Sequence, residues 1–191
     1  MKFQKFKTWI EISSQNIFWN IKVIRSLLNK KTRLFAVVKS NAYGHDLELF
    51  SKLIETKVDG YCVDSVPEAE KLRAAGIKKF ILVLGPTLPH LFDVALKLDI
   101  TISLSNFDAL KEYLKNKAQP NFHLKIDTGM HRQGFYNADL KKALTLIKPI
   151  SKKMTGVFSH FASAKDFNYP TTTDLQYENF QLTIHNQFYN V

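Results

Sequence analysis

Six short apolar segments recur along the chain from residue 34 onward, and a longer stretch with helical spacing follows each of them. They span residues 34–38, 59–63, 80–84, 100–104, 122–126 and 155–159. Most of these segments are nearly all apolar and do not alternate between apolar and polar residues, as expected for strands that are buried on both faces. The alternation therefore predicts an α/β fold whose parallel strands are connected by helices.

The stretches between the predicted strands carry helix signals. Residues 15–28 present one apolar face, formed by Ile17, Ile21, Ile24 and Leu28. Ser65 and Glu68 have the spacing of a capping box, and Gly76 supplies the stop of that helix. Two further helices are indicated by Ser105 with Asp108 and by a C-terminal stripe of Tyr177, Phe180, Ile184 and Phe188.

Two architectures are compatible with this pattern, an open doubly wound sheet and a closed (β/α)8 barrel. The chain has 191 residues, fewer than the ~250 that such a barrel usually takes. Neither a GxGxxG motif nor a Walker motif follows the first predicted strand, so a Rossmann-type sheet has no specific support. The pattern alone leaves both architectures open.

The balance of charged residues is strongly basic, with 27 Lys and Arg against 17 Asp and Glu and a formal net charge of +10. Such a charge is compatible with nucleic acid or an anionic membrane surface. Only four of the basic residues are arginines, the residues that most often read phosphates and bases, and the lysines are scattered. We therefore expect neither partner.

The length of the apolar runs and the number of cysteines exclude further classes of protein. No run is long enough to span a membrane, and the first twenty residues lack the apolar stretch of a secretory signal. Cys62 is the single cysteine, so an intrachain disulfide and a cysteine-rich metal site are excluded. We expect a cytoplasmic protein without a metal.

Functional residues of parallel α/β folds collect at the carboxyl ends of the strands. Lys39 follows the first predicted strand, where a partly dehydrated amine can act as a nucleophile. Tyr43 lies four residues later, where its phenol can donate a hydrogen bond to an anion such as phosphate. Taken singly, Lys39 is more often a solvated strand end and Tyr43 more often a packed aromatic residue.

The fifth and sixth predicted strands also end in polar residues. A loop with Asp127 and Arg132 follows the fifth strand, and its guanidinium suits a carboxylate or phenolate ligand. Lys125 lies on the same strand face as Asp127, and it needs a partner or a modification if that face is buried. His160 follows the sixth strand. The alternative for the loop is a turn with a surface ion pair, and the alternative for His160 is a structural histidine.

Together these strand ends resemble those of the alanine racemases, fold-type III enzymes that use pyridoxal 5'-phosphate. Residues 36–45 (AVVKSNAYGH) resemble the signature at which that family attaches its cofactor. Residues 125–134 (KIDTGMHRQG) and 156–164 (GVFSHFASA) are similar to two further family motifs in order and spacing. The resemblance covers the chain from residue 8.

The resemblance implies a domain arrangement. Residues 13–191 would form a TIM-type (β/α) barrel that is incomplete, with about six of eight strands. Residues 1–12, including the stretch 8–12 (TWIEI), would contribute a strand to a C-terminal β domain that is otherwise absent.

The resemblance also implies roles for five residues. The family lysine that matches Lys39 carries the aldimine to the cofactor and exchanges the Cα proton on one face. The tyrosine that matches Tyr43 holds the cofactor phosphate, and the arginine that matches Arg132 contacts the cofactor phenolic oxygen and the substrate carboxylate. The lysine that matches Lys125 is carbamylated in some members and supports that arginine, and the histidine that matches His160 orients the far side of the site.

The implied activity is interconversion of L-alanine and D-alanine, which supplies D-alanine for peptidoglycan. Racemisation needs two opposed proton carriers, and in the family the second is a tyrosine from the C-terminal domain of the partner subunit in a homodimer. We therefore expect a truncated chain with at most weak activity alone. Two alternatives stay open, a non-catalytic pyridoxal-phosphate homeostasis protein and a racemase of another small amino acid.

Overall fold

The computed structural model describes residues 7–166, 168 and 170–189. It divides into two compact units, residues 1–82 and 83–191. All six predicted strands are present in the described residues, within one to two residues of their expected ends. The predicted α/β class is confirmed.

The first unit contains a three-stranded sheet in the order β1-β2-β3, in which β1 and β2 are parallel with Phe35 opposite Gly60. Its last strand ends on the first residue of the second unit. The elements in chain order are α1 (Ser14–Ser26), β1 (Phe35–Val37), a turn at Lys39–Tyr43, α2 (Leu47–Ile54), β2 (Gly60–Val63), α3 (Val66–Ala74) and β3 (Phe80–Val83).

The core of the first unit is formed by the middle strand and the helices on it. All four residues of β2 are buried, and the hydroxyl of Tyr61 donates to the carbonyl of Ser51 at 2.6 Å. Burial raises the pKa of the Cys62 thiol to about 12, so this cysteine is a packing residue rather than a nucleophile. The edge strand β1 is more open, and Val37 is 43% exposed.

Helix α1 differs from its prediction. It ends at Ser26 rather than near Leu28, and none of its residues is buried. Of its predicted apolar face, Ile24 is 46% exposed. The apolar spacing therefore correctly predicts the helix, but Ile17, Ile21 and Leu28 are only half-buried.

The second unit contains a three-stranded parallel sheet in the order β4-β5-β6. At its core the ring of Tyr113 packs against Phe92 in a tilted contact and against Phe122 edge to face, and the Tyr113 hydroxyl donates to the carbonyl of Pro120. The elements in chain order are a 3-10 turn (Pro89–Leu91), α4 (Phe92–Lys97), β4 (Ile102–Leu104), α5 (Phe107–Lys115), β5 (Phe122–Lys125), α6 (Asn137–Ile147), a 3-10 segment (Lys148–Lys153), β6 (Met154–Phe158), α7 (Pro170–Ile184) and a π turn (His185–Tyr189).

Two predicted helix starts need correction. Ser65 precedes α3 but its side chain makes no capping hydrogen bond, and the Glu68 carboxylate accepts from the amides of Ser40 and Asp64. Asn106, not Ser105, caps α5, and its side-chain oxygen accepts from the amide of Ala109 at 2.8 Å. The predicted stop at Gly76 is confirmed, with φ of +86°.

Helix α7 buries polar rather than apolar side chains. Gln176 and Thr183 are 2% and 3% exposed, whereas Tyr177, in the predicted apolar stripe, is 53% exposed. Both buried side chains form hydrogen bonds, so their burial is compensated.

Residues 8–13 form neither a helix nor a strand in the structure, and Trp9 and Ile10 are exposed. The assignment of this segment to a strand of a second domain stays a prediction, and residues 1–6 lie outside the described residues. In the described part of the chain, none of the helices has the length and apolar character needed to cross a membrane.

Candidate active site

Lys39 lies two residues past Val37, the last residue of β1. The parallel ladder continues one residue beyond the strand, where the amide of Val38 donates to the carbonyl of Cys62 at 2.8 Å. The Lys39 side chain is 35% exposed, and its Nζ atom lies 3.4 Å from the Oδ1 atom of Asp64, which follows β2. The neighbouring ends of two parallel strands thus place an amine beside a carboxylate.

The backbone after Lys39 is a single left-handed turn. Ser40, Asn41, Ala42 and Tyr43 have φ values between 53° and 56°. Non-glycine residues lose about 1–2 kcal/mol each in this conformation, so the turn requires compensating contacts. Two of them are hydrogen bonds, from the amide of Ala42 to the carbonyl of Val38 and from the amide of Leu47 to the Asn41 side chain.

Glu68, in the first turn of α3, provides further contacts to this region. Its Oε1 atom accepts from the amide of Ser40 at 2.6 Å, and its Oε2 atom accepts from the amide of Asp64 at 2.8 Å. One carboxylate therefore binds the backbone directly after both strand ends.

Tyr43 is the last residue of the left-handed turn. Its side chain is 61% exposed, so it is not the packed aromatic residue that the sequence alone also allows. The turn presents the phenol to solvent, where its hydroxyl is available to an anionic ligand.

The second unit holds the other three candidate residues, beginning with the loop that carries Arg132. Asp127 is 7% exposed, and its carboxylate accepts four backbone amides, those of Gly129, Met130, His131 and Arg132, at 2.9 to 3.0 Å. Burial raises the pKa of this carboxyl, but the four amide donors together outweigh burial and hold the pKa below its usual value. Asp127 therefore shapes the loop as an anion.

The same loop returns onto β5. Phe135 donates its amide to the carbonyl of Lys125, and its carbonyl accepts from the amide of Asp127. Gly134 has φ of +138°, and a Cβ atom there would lie 2.5 Å from the Asp127 nitrogen. A glycine is required for this close approach. Arg132 lies on the exposed part of the loop.

Lys125 is only 6% exposed. Its strand face is therefore buried, and the sequence predicts a partner or a modification for a lysine in that position. Its Nζ atom donates to the Oε1 atom of Gln133 at 3.2 Å and lies 5.6 Å from the ring centre of Phe158. The Nε2 atom of Gln133 in turn donates to the Ser105 hydroxyl at 3.0 Å. The amide of Gln133 thus connects the ends of β4 and β5.

His160 lies two residues beyond β6 and is exposed. Its carbonyl accepts from the Nε2 atom of Gln176, whose Oε1 atom accepts from the amide of Ala162. The buried amide of α7 therefore holds the backbone on both sides of residue 161.

The structure adds three residues that were not singled out by sequence, Asp64, Gln133 and Gln176, and it gives new contacts to two that were, Glu68 and Asp127. The strand-end rule points to Asp64, since this residue follows β2 directly. Asp127 was noted in its loop, but its four amide contacts depend on the loop conformation. No local sequence signal marks the long-range contacts of Gln133 and Gln176.

The sequence matches the family "Alanine racemase, N-terminal domain" over residues 12–187. The chain belongs to this family. The alanine racemase of Streptococcus equi subsp. equi (strain 4047) is 39% identical over 151 residues, which cover 77% of this chain and 41% of that protein. The alanine racemase of Fusobacterium nucleatum subsp. nucleatum is 35% identical over 159 residues, which cover 83% of this chain and 45% of that protein.

Solved structures of alanine racemases share the fold. The enzyme from Bacillus anthracis with bound L-Ala-P has a TM-score of 0.84 and 30% identity, covering 93% of this chain and 47% of that chain. The enzyme from Oenococcus oeni has a TM-score of 0.82 and 32% identity, covering 93% of this chain and 53% of that chain. The predicted resemblance to the alanine racemases is confirmed. The chain spans less than half the length of these curated relatives.

Proposed function

We propose that the chain is the lysine-bearing N-terminal portion of an alanine racemase that interconverts L-alanine and D-alanine with pyridoxal 5'-phosphate. The relatives that it matches are named alanine racemases, and their family depends on this cofactor. The observation that carries the proposal is Lys39, a half-buried amine two residues past the end of β1 and paired with Asp64, inside the matched region. The D-alanine would supply peptidoglycan.

The side chains of the described residues fit the functional groups of pyridoxal 5'-phosphate. An amine such as that of Lys39 condenses with the aldehyde, and an exposed phenol such as that of Tyr43 donates to the phosphate. The exposed guanidinium of Arg132 suits the phenolic oxygen of the cofactor and the carboxylate of alanine. We assign His160 to the same cofactor, in line with the family motif that it matches.

Bound pyridoxal 5'-phosphate draws electrons from the substrate Cα and so makes its proton acidic. The protein then needs groups that hold the ligands and move this proton. We assign proton transfer on one side of Cα to the Nζ atom of Lys39, and placement of the alanine carboxylate to Arg132. The carrier on the opposite side is assigned to the portion of an alanine racemase that this chain does not span.

Lys125 is proposed as the support of the Arg132 loop. Its hydrogen bond to Gln133 connects β5 to the residue that follows Arg132. In the proposed carbamylation, the neutral Nζ atom bonds to the carbon of CO₂ and one proton leaves, which gives an N-carboxylate. The product keeps one N–H for Gln133 and gains an anion that suits a guanidinium.

The proposal has consequences for the isolated chain. Since it supplies one proton carrier, we expect at most weak racemase activity without the remainder of an alanine racemase. In the complete enzyme we propose a homodimer in the cytoplasm.

Covalent attachment of the cofactor tests the proposal. The chain is incubated with pyridoxal 5'-phosphate, reduced with borohydride and digested, and the peptide with the added mass is identified. We expect the adduct on Lys39 and its loss in Lys39→Ala. Lys52→Ala is the matched control, because Lys52 is an exposed lysine of α2. An adduct spread over many lysines of the wild-type chain would contradict the proposal.

A further inference from the structure

The carboxylate of Glu68 makes two hydrogen bonds, and both go to backbone groups next to the candidate amine. Ser40 and Asp64 each donate an amide, one to each carboxylate oxygen. The first amide belongs to the peptide bond after Lys39, and the second belongs to the residue whose side chain pairs with Lys39. Glu68 therefore binds both sides of the Lys39 ion pair through the main chain.

Neither amide is satisfied by the sheet. The last ladder bond between the strands runs from the amide of Val38 to the carbonyl of Cys62, so Ser40 and Asp64 lie just beyond it. Ser40 and Asp64 are exposed residues, and their amides donate to an ionised carboxylate, which forms the stronger kind of hydrogen bond. The Glu68 carboxylate therefore connects the segments that follow β1 and β2, beyond the last hydrogen bond of the ladder.

The amide of Ser40 is also the first of the left-handed turn. The four residues from Ser40 to Tyr43 all have positive φ, a conformation that non-glycine residues adopt only when their surroundings impose it. Of the hydrogen bonds that impose it, the one from Ser40 to Glu68 is the shortest, at 2.6 Å. This bond fixes the peptide plane from which the Lys39 side chain leaves the strand.

We propose that Glu68 is the positioning residue of Lys39: its carboxylate holds the left-handed turn and the facing end of β2, and so sets the position of the Lys39 amine beside Asp64. The inference rests on the proposed attachment of pyridoxal 5'-phosphate to Lys39. It differs from a helix-capping role, in which Glu68 stabilises α3 and leaves Lys39 unaffected.

Glu68→Gln separates these roles. The glutamine has the same size, and its carbonyl oxygen can accept one amide, but its NH₂ group faces the other amide without being able to accept from it. Glu70→Gln is the matched control, since Glu70 lies on the same helix and carries the same charge. Circular dichroism and urea unfolding establish that each variant is folded.

Two measurements report on the Lys39 amine directly. The first is the yield of the borohydride-reduced adduct on Lys39 as a function of pyridoxal 5'-phosphate concentration. Loss of a charge-assisted hydrogen bond predicts that Glu68→Gln needs about tenfold more cofactor for half-maximal yield. The second is the rate at which acetic anhydride acetylates Lys39 in the cofactor-free chain, relative to Lys52. We expect this ratio to change at least about twofold, because the ion pair with Asp64 is disturbed.

The outcomes distinguish the inference from the proposed function. A wild-type chain without an adduct on Lys39 would remove the proposed function. A wild-type adduct on Lys39 with unchanged yield and acetylation in folded Glu68→Gln would overturn the inference alone. If Glu68→Gln does not fold, Glu68→Asp, which keeps the charge and shortens the reach, is measured in the same way. Failure of both variants to fold would also overturn the inference, since Glu68 would then serve the fold as a whole.

Discussion

Asp127 and Arg132 are joined through the backbone, because the amide of Arg132 donates to the Oδ2 atom of Asp127 at 3.0 Å. The amides of the three preceding residues donate to the other oxygen, Oδ1. A single carboxylate thus determines the path of the loop up to the candidate ligand-binding arginine. This arrangement makes Asp127 a structural requirement of the loop.

Replacement of Asp127 by Asn tests this requirement. The carboxamide nitrogen cannot accept an amide, so at least one of the four hydrogen bonds to this buried side chain is lost. We expect the free energy of unfolding to fall by about 1–3 kcal/mol. Urea unfolding measures the change, and Asp108→Asn, at an exposed position of the same unit, is expected to have little effect. Equal stability of the two variants would contradict the assignment.

Asp127 also predicts how stability depends on pH. Its pKa is lower in the folded chain than its ordinary value of 3.8, so the folded state binds this proton more weakly than the unfolded state. The resulting stabilisation is complete above the unfolded pKa and is lost as the pH falls through the folded pKa. Urea unfolding between pH 6 and pH 2.5 should therefore show a shallower acid loss for Asp127→Asn than for the wild type.

The pKa of Asp59 is also lowered in the folded chain, so Asp59 serves as a second test of the pH dependence of stability. The Leu34 amide and the Arg25 side chain hold the pKa of the Asp59 carboxyl below its ordinary value. Asp59→Asn should remove a second, independent part of the acid loss. If both variants keep the wild-type pH profile, other carboxylates govern acid unfolding and the prediction fails.

Gln133 is predicted to stabilise the buried amine of Lys125. In Gln133→Leu, the amine loses its side-chain oxygen partner and Ser105 loses a donor. The expected loss in the free energy of unfolding is about 1–3 kcal/mol. Gln119→Leu is the control, because the Gln119 amide makes one long hydrogen bond of 3.4 Å, to the carbonyl of Tyr113. A larger loss in the control would show that amide burial in general, rather than Lys125, determines the effect.

Carbamylation of Lys125 has a separate, spectroscopic test. In ¹³C-bicarbonate, the wild-type chain should show a carbamate carbon resonance that is missing in Lys125→Arg. The resonance should weaken on acidification, because carbamates lose CO₂ when protonated. A wild-type spectrum without this resonance would leave Lys125 as an unmodified amine held by Gln133.

The sequence predicted the order and type of the strands well, because strands such as β2 and β4 carry no charged residue and are buried at every position. It predicted Lys39, Tyr43, Arg132 and His160 through strand ends and family motifs. Their roles stay predictions.

The sequence predicted side-chain contacts poorly where the hydrogen-bond partner lies far away in sequence. The Ser65 and Glu68 spacing indicates a capping box, yet Glu68 binds the amide of Ser40, 28 residues away in sequence. Helix α7 has an apolar stripe, yet it buries Gln176, which binds the backbone around residue 161. In both cases a hydrogen bond between residues far apart in sequence determines the contacts of the side chain. Rules based on residue spacing within one helix do not predict such a bond.

The proposed role of Lys39 as the proton carrier on one side of Cα predicts a specific defect of this chain in catalysis. A lone base on one side of Cα returns a proton or deuteron to the side from which it removed the original, so exchange occurs without inversion. With pyridoxal 5'-phosphate in D₂O, we expect the chain to exchange the Cα proton of one alanine enantiomer faster than that of the other, while the two enantiomers interconvert much more slowly. Proton NMR measures the exchange and chiral chromatography measures the interconversion, with Lys39→Ala giving the background of the free cofactor. Interconversion as fast as exchange would show that the chain holds a second proton carrier.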